Sequence, residues 1–554
     1  MKWSKYSLLA FLLTQYHEAG ALRLPLYSRS KRSEGHTFSS RSNGQGYATT
    51  VGDPTVSGQS DIVYTTTVNV GGVDVLVQLD TGSSDLWIYS PDRQPKLTNT
   101  TSINNVNLTY GIGSVAGRLD FAEVEIGPYT VPSQAFLNVN ATDNEPLLQL
   151  GIAGILGLAF DQLSIIAEGL EQAWGNQLGA TVLTQIFRQN TSAPNFISFL
   201  AGRNTDLESP ANGTFTISEY AQGYEKIIET PKLPVVLPSG SLADLPPRWD
   251  ILLDGLTVNG RAFDFNKLNS SDPSTPKGKA IANLDTGYTF GPIAKQTLDF
   301  MYSAIPGAVY SESQSQWVVP CLETADISFT FSGQKIPLHP LDITSPGVTQ
   351  TPNGTNVTVC LSQFVASTAN AIPGIDLLLG DAFLRNVYAI FDFGDYVRED
   401  TLNVTDPYIQ LLATTTDLAE AKKDFQESRS EALKSLPPTI SPQQYLELLN
   451  STQLGNSDGS GAEVLSAAES TSSSGSSDGW TMIAGKLDHY GPALLGLLAG
   501  NLVIGVILCT LGITMCIRRG ATQGTPARVV NPSYAPVRLP KGDDIEHHQD
   551  SYRD

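Results

Sequence analysis

Leu79-Asp80-Thr81-Gly82-Ser83 and Leu284-Asp285-Thr286-Gly287-Tyr288 are the two stretches on which the reading of this chain turns. Each follows an apolar run of strand character and opens into a turn. At average residue usage an Asp-Thr-Gly triplet is expected about a tenth of a time in a chain this long, so one copy could be chance. Two copies with like flanks could not. The likeness extends downstream: an apolar pair and a glycine recur as Ile155-Leu156-Gly157 and Leu378-Leu379-Gly380, the glycines standing 77 and 95 residues after Asp80 and Asp285. The chain reads as a duplication, two homologous lobes that each present one aspartate.

Around these stretches, from Gly46 to Thr414, short alternating runs such as Tyr64 to Val70 and Val73 to Leu79 are broken by Gly, Pro, Asn and Asp. That texture predicts mainly β-sheet. Composition removes several rival chemistries. With 41% hydrophobic and 16% charged residues the chain suits a packed globular body, and 34 Lys plus Arg against 55 Asp plus Glu leave −21, which repels nucleic acid. Of six histidines only His36 and His339 fall in the globular part, too few for an imidazole-rich zinc site, and a Ser-His-Asp triad would rest on one of them. His339 is read as structural. No Cys-x-x-Cys pair occurs, so neither metal nor cofactor is expected. Carboxylate chemistry remains.

These residues resemble the pepsin-like aspartic proteases across Gly46 to Thr414. The resemblance implies an all-β, bilobal fold with pseudo-twofold symmetry, in which the two Asp-Thr-Gly loops meet below a cleft. It implies an endopeptidase acting on peptides or proteins at acidic pH, as a monomer. Two carboxyls about 3 Å apart cannot both ionise and share one proton. The charged one takes a proton from a water that attacks the peptide carbonyl, while the other donates toward the developing oxyanion. Asp80 and Asp285 are implied as that pair, with Thr81 and Thr286 bonded across the axis and Gly82, Ser83 and Gly287 supporting the carboxylates. Leu108 to Ser114 is similar to the flap hairpin: Tyr110 is its aromatic residue, Gly111 and Ile112 its tip, and Trp87 the partner of Tyr110. Ile152, Ile155, Tyr288 and Thr289 are expected along the cleft. The chain departs from the family pattern at Tyr288, where a short hydroxyl residue is usual, and at Ile112, where a small polar one is. The rival reading is a catalytically inactive pepsin-like ectodomain serving binding or adhesion. Both aspartates, both threonines and the flap tyrosine argue against it.

The ends of the chain carry targeting patterns. Residues 1–21 read as a signal peptide, with Lys2 and Lys5, a short apolar core and Ala19-Gly20-Ala21. Residues 22–44 read as a propeptide or flexible N-terminus with a dibasic Lys31-Arg32. The lobes are assigned to 45–220 and 221–414, and 415–490 to a stalk that holds a helical candidate ended by Pro437-Pro438 and a Ser/Gly-rich tract. Residues 491–517 are uncharged and long enough to span a bilayer as a transmembrane helix, and Arg518-Arg519 then place the tail 518–554 in the cytoplasm. Ten Asn-x-Ser/Thr sequons all precede that span. The expectation is a single-pass type I membrane protein of the secretory pathway, fungal-like in its short propeptide and Ser-rich stalk. Its ectodomain is lumenal or extracellular, at the cell surface, vacuole or endosome. In that oxidising setting Cys321 and Cys360 are expected to form the disulfide of the C-terminal lobe.

Overall fold

A computed structural model describes residues 22–27 and 63–455, apart from 111–112, 144, 176–177, 204–211, 269, 271, 368–371 and 396–404. The apolar runs ahead of the two triplets are strands, Val73–Asp80 and Ala280–Leu284. Val73–Asp80 runs parallel to Gly154–Gly157 with Asp80 opposite Gly157, and Ala280–Leu284 runs parallel to Leu377–Leu379 with Leu284 opposite Leu379. The repeated apolar pairs are therefore the partners of the aspartate strands. A third strand lies antiparallel on each, Leu86–Ile88 in one lobe and Gly291–Ile293 in the other. All five residues of Ala280–Leu284 and all four of Gly154–Gly157 are buried, which is why these runs, Asn283 excepted, are apolar on both faces rather than alternating. The fold is bilobal and mostly β, as expected.

A sheet shared by both halves closes the base. Phe196–Leu200 pairs with Val387–Asp392, so that Phe196 faces Asp392. Tyr408–Ala413 and Leu233–Pro234 extend it on one side, Asn212–Ile217 and Leu22–Tyr27 on the other. That last strand lies in the segment assigned from sequence to a propeptide or flexible N-terminus. Within it, Leu22 to Tyr27 pair in full antiparallel register with Ile217 to Asn212, since Leu-Arg-Leu-Pro-Leu-Tyr alternates with period two and an unpaired edge would otherwise remain. Above the sheet Trp249 packs its ring against Phe160, Phe393 and Phe391 at centroid distances of 4.5, 4.8 and 5.2 Å, and its Nε1 donates to Leu158 O at 3.1 Å. This cluster joins residues of both lobes directly beneath the aspartate loops.

The segment read as the start of a stalk is packed onto the C-terminal lobe. Asp417 caps a helix, Leu418–Lys434, by accepting from the N–H groups of Ala419 and Glu420. From that helix Phe425 and Arg429 are fully buried. The Arg429 guanidinium donates to Thr344 O at 2.6 Å, Thr344 Oγ1 at 3.1 Å and Cys321 O at 3.3 Å, bracing the Cys321–Cys360 disulfide. A second helix, Pro442–Gly455, seats Tyr445 on Val318, Val359 and Leu361. Among the described residues no helix is long and apolar enough to cross a membrane. The segments 1–21, 491–517 and 518–554, the dibasic pair, and the flap residues Gly111 and Ile112 lie outside the described residues.

The fold buries several carboxyls, and their titration fixes a pH range. Burial pushes Glu145 and Asp250 each up to about 7, and moves Asp85 and Asp392 upward as well. At Asp342 burial acts the same way, but the guanidinium groups of Arg203 and Arg385 outweigh it and hold that carboxyl at about 2. A carboxyl raised on folding stabilises the fold fully below its unfolded value of about 4 and loses that contribution as pH climbs through its folded value. One lowered on folding contributes above about 4 and loses its share as pH falls. The melting temperature is accordingly expected to peak near pH 4 and to fall as pH climbs from there to about 7. Scanning calorimetry from pH 2 to 8 checks this, and a flat profile above pH 4 contradicts it.

Candidate active site

Asp80 closes one strand and Asp285 directly follows the other, so the two triplets leave their sheets at matching points. Four hydrogen bonds tie the loops together. Thr81 N donates to Thr286 Oγ1 and Thr286 N to Thr81 Oγ1, each at 3.0 Å. Thr81 Oγ1 donates to Leu284 O and Thr286 Oγ1 to Leu79 O, each at 2.9 Å. Both threonines are buried, and every hydroxyl both donates and accepts, so no buried polar group is stranded by the contact.

The glycines are required by proximity. A β-carbon placed on Gly82 would lie 2.2 Å from Asp285 Oδ2, and one on Gly287 would lie 2.3 Å from Asp80 Oδ1. Each glycine thus packs against the carboxylate of the opposite lobe while donating its N–H to its own, Gly82 to Asp80 Oδ1 and Gly287 to Asp285 Oδ1, both at 2.8 Å. Burial pushes the Asp285 carboxyl well above the usual range, and the charge of Asp80 pushes it further, against the pull of Gly287 N–H and Arg248. Burial and the neighbouring charge thus favour the protonated form of Asp285.

Two details break the twofold symmetry. Ser83 Oγ donates to Asp80 Oδ2, whereas among the described residues no hydroxyl donates to Asp285. Tyr288 occupies the equivalent position, and burial, followed by the charges of Asp285 and Asp80, raises its own hydroxyl to about 12. Outside the loops, Gly287 O accepts from Gln78 Nε2 at 3.1 Å, while Gly82 O accepts from Arg248 Nη1 at 3.3 Å.

Strands Val106–Thr109 and Ser114–Ile126 form the hairpin expected as the flap, and Tyr110 N donates to Gly113 O at 3.1 Å across its neck. The Tyr110 ring stands 6.4 Å from that of Trp87, tilted by 43°. Burial raises the Tyr110 phenol well above its ordinary value, helped by the charges of Asp80 and Asp85, so it stays protonated. Thr289 sits half-buried in the bend before Gly291–Ile293. Ile152 and Ile155, expected along the cleft, are buried in the cluster that includes Trp87 and carries Tyr110 on it, with Ile155 directly opposite Trp87 in the sheet. They support the aromatic pair from below. Gln78 and Arg248 were not anticipated. Gln78 offered one signal, a polar residue inside an apolar strand; Arg248, in a Pro-Pro-Arg-Trp loop, offered none.

Residues 63–397 match the family described as Eukaryotic aspartyl protease. The chain belongs to that family. It is 24% identical to Major aspartyl peptidase 1 of Cryptococcus neoformans over 366 residues, covering 60% of this chain and 67% of that protein. It is 26% identical to the aspartic-type endopeptidase ctsD of Aspergillus fumigatus, covering 65% and 69%, and 24% identical to pepsin A of Sus scrofa, covering 62% and 82%. A crystal structure of the aspartic proteinase from Irpex lacteus aligns with a TM-score of 0.47 at 19% identity, over 72% of this chain and 98% of that one. The aspartic endopeptidase activity read from the paired triplets is borne out.

In this aspartyl protease the absent donor at Asp285 sets an expectation for pH. Replacing Tyr288 with Thr puts a hydroxyl where Ser83 stands in the other loop, and a donor to the ionised carboxylate favours ionisation. Hydrogen bonds to charged groups contribute about 1.5–3 kcal/mol and one pH unit corresponds to about 1.36 kcal/mol. The kcat/KM profile of Tyr288→Thr should therefore move about one unit toward acid, read on the dyad as a coupled pair. An unmoved or alkaline-shifted profile means that Tyr288 only fills space.

Proposed function

We propose that Asp80 and Asp285 are the catalytic pair of an acid-active, membrane-anchored aspartic endopeptidase of the secretory pathway. The observation that carries the chemistry is the unequal pair: two carboxyls in contact across the axis, with two donors on Asp80 and one on Asp285. Asp80 is the better seat for the negative charge, and Asp285 holds the proton. In the reaction Asp80 accepts a proton from a water lying between the carboxyls as its oxygen attacks the scissile carbonyl. Asp285 donates its proton to the carbonyl oxygen, and the tetrahedral species collapses once the leaving nitrogen is protonated. The flap hairpin covers the peptide, with the protonated Tyr110 beside Trp87 as its anchor.

Anchoring and address are supported by sequence and by exposure. The uncharged 491–517, the Arg518-Arg519 that follows and the apolar leader argue for type I insertion. The sequon residues Asn99, Asn107, Asn140, Asn353, Asn356 and Asn450 are all exposed and stand on the same side of that span. Leu418 to Leu449, the first part of the segment assigned to the stalk, are docked on the lobe. The fungal relatives agree with a fungal-like origin for the catalytic body.

Two measurements test this reading. Asp80→Asn and Asp285→Asn should each lower peptide cleavage by about 10³-fold or more, while circular dichroism and melting stay near the wild type. Clear residual turnover in either purified variant rejects the assignment. In sealed vesicles, added protease should remove the tail after Arg519 and leave a glycosylated ectodomain intact. A protected tail rejects type I insertion.

A further inference from the structure

We propose that Arg248 makes this protease select substrates carrying a carboxylate side chain, Asp or Glu, beside the scissile bond. The inference rests on the endopeptidase reading above and names a substrate class for that site.

The argument starts from the broken symmetry of the two loops. Gln78 stands two residues before Asp80, and its amide caps the carbonyl of Gly287 in the opposite lobe at 3.1 Å. The pseudo-twofold counterpart of Gln78 is Asn283, two residues before Asp285. One methylene shorter, Asn283 does not cap Gly82; its Nδ2 donates instead to Asp250 Oδ1 at 2.7 Å. The Gly82 carbonyl is taken by Arg248 Nη1 at 3.3 Å. A neutral amide on one side of the dyad thus faces a cation on the other.

That carbonyl belongs to the residue nearest the reacting groups. Gly82 donates its N–H to Asp80, and its α-carbon abuts the Asp285 carboxylate so closely that a β-carbon would collide with it. The guanidinium of Arg248 is therefore held at the rim of the dyad. It is half-buried, and a guanidinium carries five N–H donors, of which the Gly82 bond uses one. Among the described residues no carboxylate comes within ion-pair distance of it. The nearest acid by sequence, Asp250, is buried and engaged with Asn283, and burial raises its carboxyl to about 7, so it is neutral in acid; the charge of Arg248 is felt by the dyad at longer range but is not tied up in an ion pair among the described residues. A half-buried guanidinium with free coplanar donors suits a carboxylate approached in two-point fashion, for which arginine geometry is specific. Held at that rim, it is placed next to the carboxyls over which the scissile bond must lie.

The test uses the full chain and peptides free of other charged side chains that are identical except at the positions flanking the cleaved bond, where Glu is exchanged for Gln or Lys. The readout is the ratio of kcat/KM for Glu over Gln. The wild type should favour Glu by about tenfold near pH 5, and the preference should vanish as pH falls below about 4, where the substrate carboxylate is protonated. Arg248→Met should bring the ratio to about one, and Arg248→Lys should keep part of it because the charge survives without the fork. A merely structural or field effect of Arg248 would shift the pH profile of both peptides together and leave their ratio unchanged. That result overturns the proposal, as does a wild-type ratio near one. The wild-type pH dependence needs no variant to fold. If the wild type cleaves none of the peptides, Gln included, the endopeptidase reading fails and this one falls with it; if it cleaves Gln and Glu alike, only the selectivity fails.

Discussion

Everything in this molecule is arranged around the reciprocal hydrogen bonds of Thr81 and Thr286. Two buried carboxyls in contact repel once both ionise, and at short range in a poorly hydrated setting that repulsion is large. Left to itself the pair would separate. The threonines prevent this by exchanging backbone-to-hydroxyl bonds across the axis, and each hydroxyl is locked in turn by a carbonyl at the end of the other lobe's aspartate strand. The lock is only as rigid as the strands that feed it. Those strands are buried on both faces where they approach the loops, and each runs between a parallel and an antiparallel neighbour.

Below that level a second set of contacts keeps the lobes from parting. The Trp249 cluster packs residues of both lobes together, and a buried ionic network also bridges the lobes. Asp342 accepts from Arg385 Nε at 2.7 Å, Arg203 Nε at 3.0 Å and Asn386 Nδ2 at 2.8 Å, and Asn386 Oδ1 accepts from His339 N at 2.7 Å. Arg203 comes from the first lobe and the others from the second. A buried pair of this kind adds little stability over an apolar substitute, but losing one partner strands a charge at a cost of about 3–5 kcal/mol. The network therefore acts as a constraint on lobe geometry more than as a store of stability. His339, expected from sequence to be structural, serves it through a backbone amide.

The sequence revealed those features that repeat locally. The triplets and the apolar-apolar-glycine stretches were legible because a duplication presents each short motif twice, and the structure shows the second motif to be the parallel partner of the first. Features that depend on distant partners were not legible. Leu22 to Tyr27 looked like part of a basic, polar leader, and its role as a strand comes from an edge some 190 residues away in the chain, at Asn212–Ile217. Asp417 to Leu436 looked like a charged stalk helix because Arg429 counts as surface by composition; nothing local says that Thr344 and Cys321 present carbonyls to receive it. Ile152 and Ile155 stand beside a motif that belongs to the cleft, but only the packing of distant strands shows that both are buried with Trp87.

Duplication delivers two equivalent aspartates, but water activation needs an unequal pair, one carboxyl to accept a proton and one to supply it. The inequality has to come from residues that escaped the symmetry. Ser83 against Tyr288 gives Asp80 a donor that Asp285 lacks, which favours charge on Asp80 and the proton on Asp285. Arg248 works in the opposite direction, since its positive field favours ionisation of Asp285, and it sits on the carbonyl of Gly82 rather than on either carboxylate. A charge placed there tempers the imbalance without cancelling it, because burial and the charge of Asp80 act more strongly on Asp285 than Arg248 does. The departures from the repeat are thus where the chemistry is decided: the symmetric residues fix where the two carboxyls stand, and the asymmetric ones fix which of them carries the proton.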